Sequence, residues 1–166
     1  MTRSRRTAHA AWTASPVARK ANVGDVEAIA TLVNGFAAED IMLPRTAEQV
    51  LAALDDYVVV RDVRGRVLAC AALREYSPSL AELVSVAVSR DAHGRGLGSV
   101  VVAAVERLAT KRGFDSVFAH TLSPAFFAAN GYVTVARELF PEKQARATTS
   151  CVWKGLIEVA EISIAA

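Results

Sequence analysis

The chain has 166 residues, 52% hydrophobic and 22% charged, with a mean hydropathy of +0.27, which suits one domain with an ordinary core. Its formal charge of +2 is uneven: Arg3, Arg5, Arg6, Arg19 and Lys20 stand in an N-terminal stretch without acids, and the remainder is net acidic, which argues against a nucleic-acid partner. No apolar run nears the roughly 18 residues of a membrane span, residues 1–20 lack a secretory core, and no Cys/His spacing suits zinc, so no membrane or metal partner is expected and the default location is cytoplasmic.

Residues 1–15 read as a disordered basic tail, and 16–166 as a single domain. Val17 to Ala21 suggests a first strand. Asn22, with Asp25 three residues on, offers a near capping box. Val26, Ile29, Ala30, Val33 and Phe36 follow at helical spacing. Pro44 breaks the chain, and Thr46 caps a short helix with Glu48, Val50, Leu51 and Leu54. Tyr57 to Arg61, Val67 to Glu75 and Leu80 to Val88 read as three strands of an antiparallel meander, turned at Val63 to Arg66 and at Ser77-Pro78-Ser79. Cys70 falls in the second of these as a buried, inert thiol. A helix then runs to about Arg112. It carries Leu97, Val100, Val101, Ala104, Val105 and Leu108 on one face, with Glu106, Arg107, Lys111 and Arg112 facing away. Val117 to Thr121 is a strand, Pro124 opens a short helix through Phe126 and Phe127, and Tyr132 to Ala136 is a sixth strand. Pro141 to Thr148 reads as helix or loop, and Ile157 to Ile164 is an ambiguous apolar run.

The segment His93-Gly94-Arg95-Gly96-Leu97-Gly98 sits between the meander and the long helix. Alternate glycines let backbone N–H groups approach a ligand without Cβ interference. The helix N-terminus beyond them favours an anion, most often a phosphate. A dinucleotide fingerprint fails, because Ser99 holds the third glycine's slot and the segment follows a meander. A Walker loop fails for want of Gly-Lys-Ser/Thr. A tight turn without ligand remains the alternative.

The order helix, helix, three-strand meander, glycine turn, helix, strand, short helix, strand, with Val86 through Gly98, resembles the GNAT superfamily of acetyl-CoA-dependent N-acetyltransferases. The resemblance implies an α/β fold of α+β mixed type, a central mixed sheet of about six or seven strands flanked by about four helices. It implies acetyl-CoA as co-substrate, with the amides of Gly94, Arg95, Gly96, Leu97, Gly98 and Ser99 around the pyrophosphate. The backbone of Val86, Ala87 and Val88 would pair with the pantetheine arm like an added strand, and the Val88 N–H would serve the thioester oxygen. His93 takes a position where the superfamily has Gln or Arg, which removes one side chain expected near the pyrophosphate. Phe127 borders the cofactor in a slot often held by a tyrosine acid, so Ser123, water or unassisted departure must serve the thiolate. A homodimer is compatible with the resemblance.

Four further stretches look like the short, kinase-less N-acetylglutamate synthase type: Met42-Leu-Pro-Arg45-Thr, Ala81-Glu82-Leu-Val-Ser85, Phe126-Phe127-x-x-x-Gly131-Tyr132 and Phe140-Pro-Glu-Lys143. That type acetylates the α-amine of an amino acid, L-glutamate, at the start of arginine synthesis. Acetyl transfer needs an amine without its extra proton and donors for the thioester oxygen. Glu82, on the strand before the loop, is the first candidate base, and a solvated strand carboxylate is its plain alternative. His120, at the next strand's end, is the competing base. Ser85 is placed to bond thioester or substrate. Arg45 is the first candidate for an acceptor carboxylate, followed by Lys143 and Arg74. Two other readings stay open: a peptide or other small-amine acetyltransferase, and a non-catalytic acyl-CoA-binding module.

Overall fold

The near-continuous apolar runs of the meander strands, Tyr57 to Val60 and Val67 to Leu73, require a sheet covered on both faces. In the computed structural model, described over residues 15–140 and 149–157, β1 (Ala18–Lys20), β2 (Tyr57–Arg61), β3 (Val67–Glu75) and β4 (Leu80–Val88) pair antiparallel in sequence order. Tyr57 and Val59 point to one face with Cys70 and Ala72, while Val58 and Val60 point to the other with Leu68 and Ala71. On the first face lie α1 (Val26–Ala37) and α2 (Ala47–Ala52), packing Ile29, Val33 and Val50 into the sheet. On the second lie α3 (Leu97–Lys111) and α4 (Pro124–Ala129), packing Leu97, Val101, Val105 and Phe127. Asn22 and Asp25 form the expected capping box, and Thr46 caps α2 with Gln49 as its reciprocal partner.

The sheet continues through β5 (Ser116–Thr121), β7 (Ser150–Gly155) and β6 (Val133–Val135), in the order β1-β2-β3-β4-β5-β7-β6. The mixed fold is thus the expected one, with seven strands. β7 is the strand the sequence pattern does not announce. It inserts between β5 and β6, antiparallel to both. It also corrects the expectation that Glu106 faces away from the core. Glu106 is half-buried, and Lys154 of β7 donates to both its oxygens at 3.0 and 3.1 Å and to the Asn130 carbonyl at 2.9 Å. The expectations for the basic tail, for Pro141 to Thr148 and for most of Ile157 to Ile164 lie outside the described residues.

Two features of β4 open the sheet. It pairs with β5, in parallel, only from Leu80–Glu82 to Ser116–Phe118. Beyond Glu82 the two strands part. Three residues further, Ser85 has φ +54, a left-handed value that non-glycine residues rarely adopt. The β3–β4 register slips there by one residue, from Ala72↔Val84 to Cys70↔Ala87. Such a bulge bends its strand and re-aims the residues beyond it. The Tyr57 hydroxyl lies 3.3 Å from Ser85 Oγ, and Cys70 Sγ donates to the Ser85 carbonyl at 3.3 Å, so the buried face of the sheet holds the bulge in place. Cys70 is fully buried, which pushes its thiol up to about 12 and fits the inert role expected of it.

Candidate active site

The parting of β4 and β5 leaves a cleft of about 480 Å³. β4 supplies one wall from Glu82 to Val88, β5 and the turn after it supply the other from Ala119 to Ser123, and Met42 and Arg45 close it from the α1–α2 connection. The expected residues Arg45, Arg74, Glu82, Ser85, Val86, Ala87, Val88, His93, Gly98, His120 and Phe127 all border this one cleft. Lys143 lies outside the described residues.

Glu82 is 5% exposed, which removes the reading of a solvated strand carboxylate. Its register partner on β3 is Arg74, whose Nε and Nη2 both donate to Oε2, at 3.1 and 2.5 Å. The other oxygen, Oε1, lies 3.8 Å from His120 Nδ1. The two rival bases are therefore neighbours. Burial pushes the Glu82 carboxyl above its ordinary value, and the nearby charges of Arg74 and Arg45 pull back without reversing it. Burial also pushes His120 down, helped by the Arg137 guanidinium, so the imidazole favours its neutral form. Arg74 borders the cleft as expected, but its guanidinium is engaged by Glu82.

At the other end, Gly94 and Gly96 have φ of +78 and +74, conformations strained for any side chain. Gly98 is small for a different reason. A Cβ there would stand 3.0 Å from the Phe126 ring. Gly96 is the N-cap of α3 and supplies no capping side chain. The first amides of the helix, at Leu97, Gly98 and Ser99, thus have no intrahelical acceptor and no cap. That is the donor set a pyrophosphate requires. The Leu97 side chain is core, so only its backbone can take part. His93 turns away from this cradle. Its Nε2 lies 2.8 Å from the Val88 carbonyl, which can only accept, so Nε2 carries the proton. Its ring lies parallel to Phe36 at 6.4 Å.

Phe127 is buried and packs edge-to-face on Tyr132 at 5.1 Å. Tyr132 does not replace the missing acid. Its side chain is buried in the core, and burial, with Glu106 nearby, raises its pKa.

Comparison with known proteins places this geometry in a family. The Acetyltransferase (GNAT) family profile matches residues 26–132. The chain belongs to the GNAT family. It is an N-acetyltransferase with acetyl-CoA as co-substrate, and its α3 cradle and open β4 edge fit that donor. An uncharacterised N-acetyltransferase of Chlorobaculum tepidum is 35% identical over 80% of this chain and 85% of its own length. An amino-acid acetyltransferase of Mycobacterium tuberculosis is 31% identical over 72% of this chain and 70% of its own. A crystal structure of an M. tuberculosis protein, solved with CoA and a second ligand, superposes with a TM-score of 0.76 at 26% identity, over 86% of this chain and all of that one. N-acetylglutamate synthase of Neisseria gonorrhoeae, with coenzyme A and N-acetyl-glutamate, shares the fold at TM-score 0.78 and 22% identity, over 87% of this chain and 36% of that one.

Three residues that the sequence did not point to as site residues brace this GNAT site from outside the cleft. Tyr57 and Cys70 hold the bulge, and Asn34 holds Arg45. Asn34 Nδ2 donates to the Arg45 carbonyl at 2.7 Å, and Asn34 Oδ1 accepts the Arg45 N–H at 2.9 Å. The available signal was an asparagine inside a helix, where its side chain usually competes with the backbone.

Proposed function

We propose that this GNAT enzyme acetylates the α-amine of an amino acid, L-glutamate being the leading acceptor. The observation that carries the reading is a buried carboxylate, Glu82, at the parting of β4 and β5, with the Arg45 cation close enough to act on it. The resemblance of this chain to amino-acid acetyltransferases supports it.

In this reading an ammonium acceptor enters between Arg45 and Glu82. Arg45 takes its carboxylate through paired N–H donors. Glu82, more basic than an ordinary carboxylate because it is buried, takes the proton that the amine must lose. Neutral His120 beside it is a second acceptor for that proton. Arg74 keeps Glu82 aimed. The freed amine attacks the thioester carbonyl, whose oxygen meets the Val88 N–H; the carbon–sulfur bond then breaks as the amide forms, and the nitrogen's second proton passes to solvent or to the departing thiolate. The thiolate departs without a tyrosine, since Phe127 is apolar; Ser123 stands at the rim. A thiolate is a fair leaving group at neutral pH, so this step needs no dedicated acid. The product, N-acetylglutamate, would serve arginine biosynthesis.

The test is thiol release from acetyl-CoA across a panel of amino acids and other amines. Release with glutamate well above the rest is the expected result. Release with another amine and none with glutamate overturns the acceptor and keeps the reaction class.

His93 yields a separate prediction. His93→Arg frees the Val88 carbonyl and adds a cation beside the glycine cradle. An exposed charge-assisted bond is worth about 1 kcal/mol, so the KM for acetyl-CoA should fall about fivefold. Steady-state kinetics with varied acetyl-CoA decides it, and an unchanged or higher KM counts against this role for His93.

A further inference from the structure

Arg45 is not held by its own helix. It follows Pro44 in the connection between α1 and α2, a stretch without regular structure in which Asp40 adopts φ +58. A cation on such a connection costs ordering entropy each time it grips a ligand. Two contacts remove part of that freedom. Behind Arg45, Thr46 caps α2, with its hydroxyl on the Gln49 N–H and the Gln49 side chain on the Thr46 N–H. In front of it stands Asn34, in the last turn but one of α1 and half-buried.

The carboxamide of Asn34 meets both polar groups of the Arg45 main chain, accepting its N–H at 2.9 Å and donating to its carbonyl at 2.7 Å. The pattern is that of a strand partner, one donor and one acceptor facing the same residue. It fixes the Arg45 backbone in rotation as well as position. No hydroxyl, carboxylate or apolar side chain offers both functions in that arrangement. The guanidinium is then steered by a short tether, its Nη1 donating to the Pro44 carbonyl at 2.9 Å. Asn34 does not border the cleft itself.

We propose that Asn34 is a positioning residue for the acceptor: it presets Arg45 for the acceptor's carboxylate and has no part in donor binding or chemistry. The proposal rests on the reading of Arg45 as the carboxylate-binding residue. Its signature is confined to one substrate. Releasing the clamp makes Arg45 lose its freedom only on binding, so the KM for the acceptor rises while kcat and the KM for acetyl-CoA stay put.

The experiment is a double-mutant cycle on the full chain, with Asn34→Ala, Arg45→Ala and the pair, using the best acceptor from the panel. Asn34→Ala should raise the acceptor KM about five- to tenfold, the loss expected from one newly mobile side chain and two lost backbone contacts. Its kcat and its KM for acetyl-CoA should stay within about twofold, and in the Arg45→Ala background the same change should add less than about twofold. An equal loss for both substrates, a lowered kcat, or full multiplication of the two effects would overturn the proposal. If Arg45→Ala leaves the acceptor KM unchanged, the carboxylate reading of Arg45 falls and the clamp's purpose with it. If Arg45→Ala raises it and Asn34→Ala does not, the clamp alone falls. Asn34→Leu keeps the helix packing and carries the same expectation should Asn34→Ala not fold; failure of both to fold overturns a role confined to Arg45.

Discussion

Glu82→Gln is expected to lower kcat about 100- to 1,000-fold, within the range a positioned general base contributes. It should do so without lowering the melting temperature at neutral pH. The two halves of this prediction have one cause. Burial raises the Glu82 carboxyl above its ordinary value of 4.5 even with Arg74 and Arg45 beside it. A group whose pKa is raised by folding contributes stability that is full below its unfolded value and lost as pH rises through its folded value. Glutamine does not titrate, so the variant avoids that loss. Its melting temperature relative to the wild type should therefore climb with pH, a trade of stability for function at a catalytic position. His120→Asn is the comparison: about tenfold in kcat if the imidazole only assists. Unchanged turnover in Glu82→Gln would remove the base assignment, and a melting temperature several degrees lower at pH 7–8 would show that the Arg74 pair outweighs burial.

The meander and the glycine turn were legible because their determinants are local. Tyr57–Arg61, Val67–Glu75 and Leu80–Val88 stand at the bounds that their apolar runs and the turns between them predict. Gly94 and Gly96 announce a left-handed backbone that only glycine adopts easily. The strand β7 was not legible. Its six residues include a serine, a lysine and a terminal glycine, and what makes them a strand is two long-range partners, β5 and β6. Lys154 is tolerated there because Glu106, 48 residues earlier in the chain, meets it from α3. The candidate site divides the same way. Residue types pointed to Glu82, His120 and Arg45, but nothing in the sequence tells that Glu82 and His120 are neighbours or that Arg74 faces Glu82 in register. The bulge at Ser85 was equally hidden, since serine carries no signal for a positive φ. What holds it, the contacts of the Tyr57 and Cys70 side chains with Ser85, comes from residues 28 and 15 positions away in the chain.

Arg74→Met is expected to move the pH profile rather than acceptor binding. Arg74 is about half-exposed, and its two hydrogen bonds hold a carboxylate that water barely reaches. Removing the guanidinium takes the nearest of the two charges that favour the Glu82 carboxylate and leaves the weaker pull of Arg45. The carboxyl then moves further up, because the charged form has lost its nearest partner. The base must be ionised to act. Activity should therefore fall about tenfold on the acid limb of the kcat/KM profile and recover as pH rises. Stability should follow the opposite course. Ionising a buried carboxylate that has lost its Arg74 partner destabilises the fold, by about 2 kcal/mol here, less than the usual penalty for breaking a buried pair because Arg74 faces solvent on one side. The deficit against the wild type should be small near pH 4.5 and grow with pH, as the sign of a raised folded pKa requires. Melting curves and rate profiles from pH 5 to 9 test both. The double variant Arg74→Met with Glu82→Gln should regain the lost stability without regaining activity. A uniform loss of kcat/KM at every pH, with the acceptor KM carrying it, would instead assign Arg74 to the acceptor.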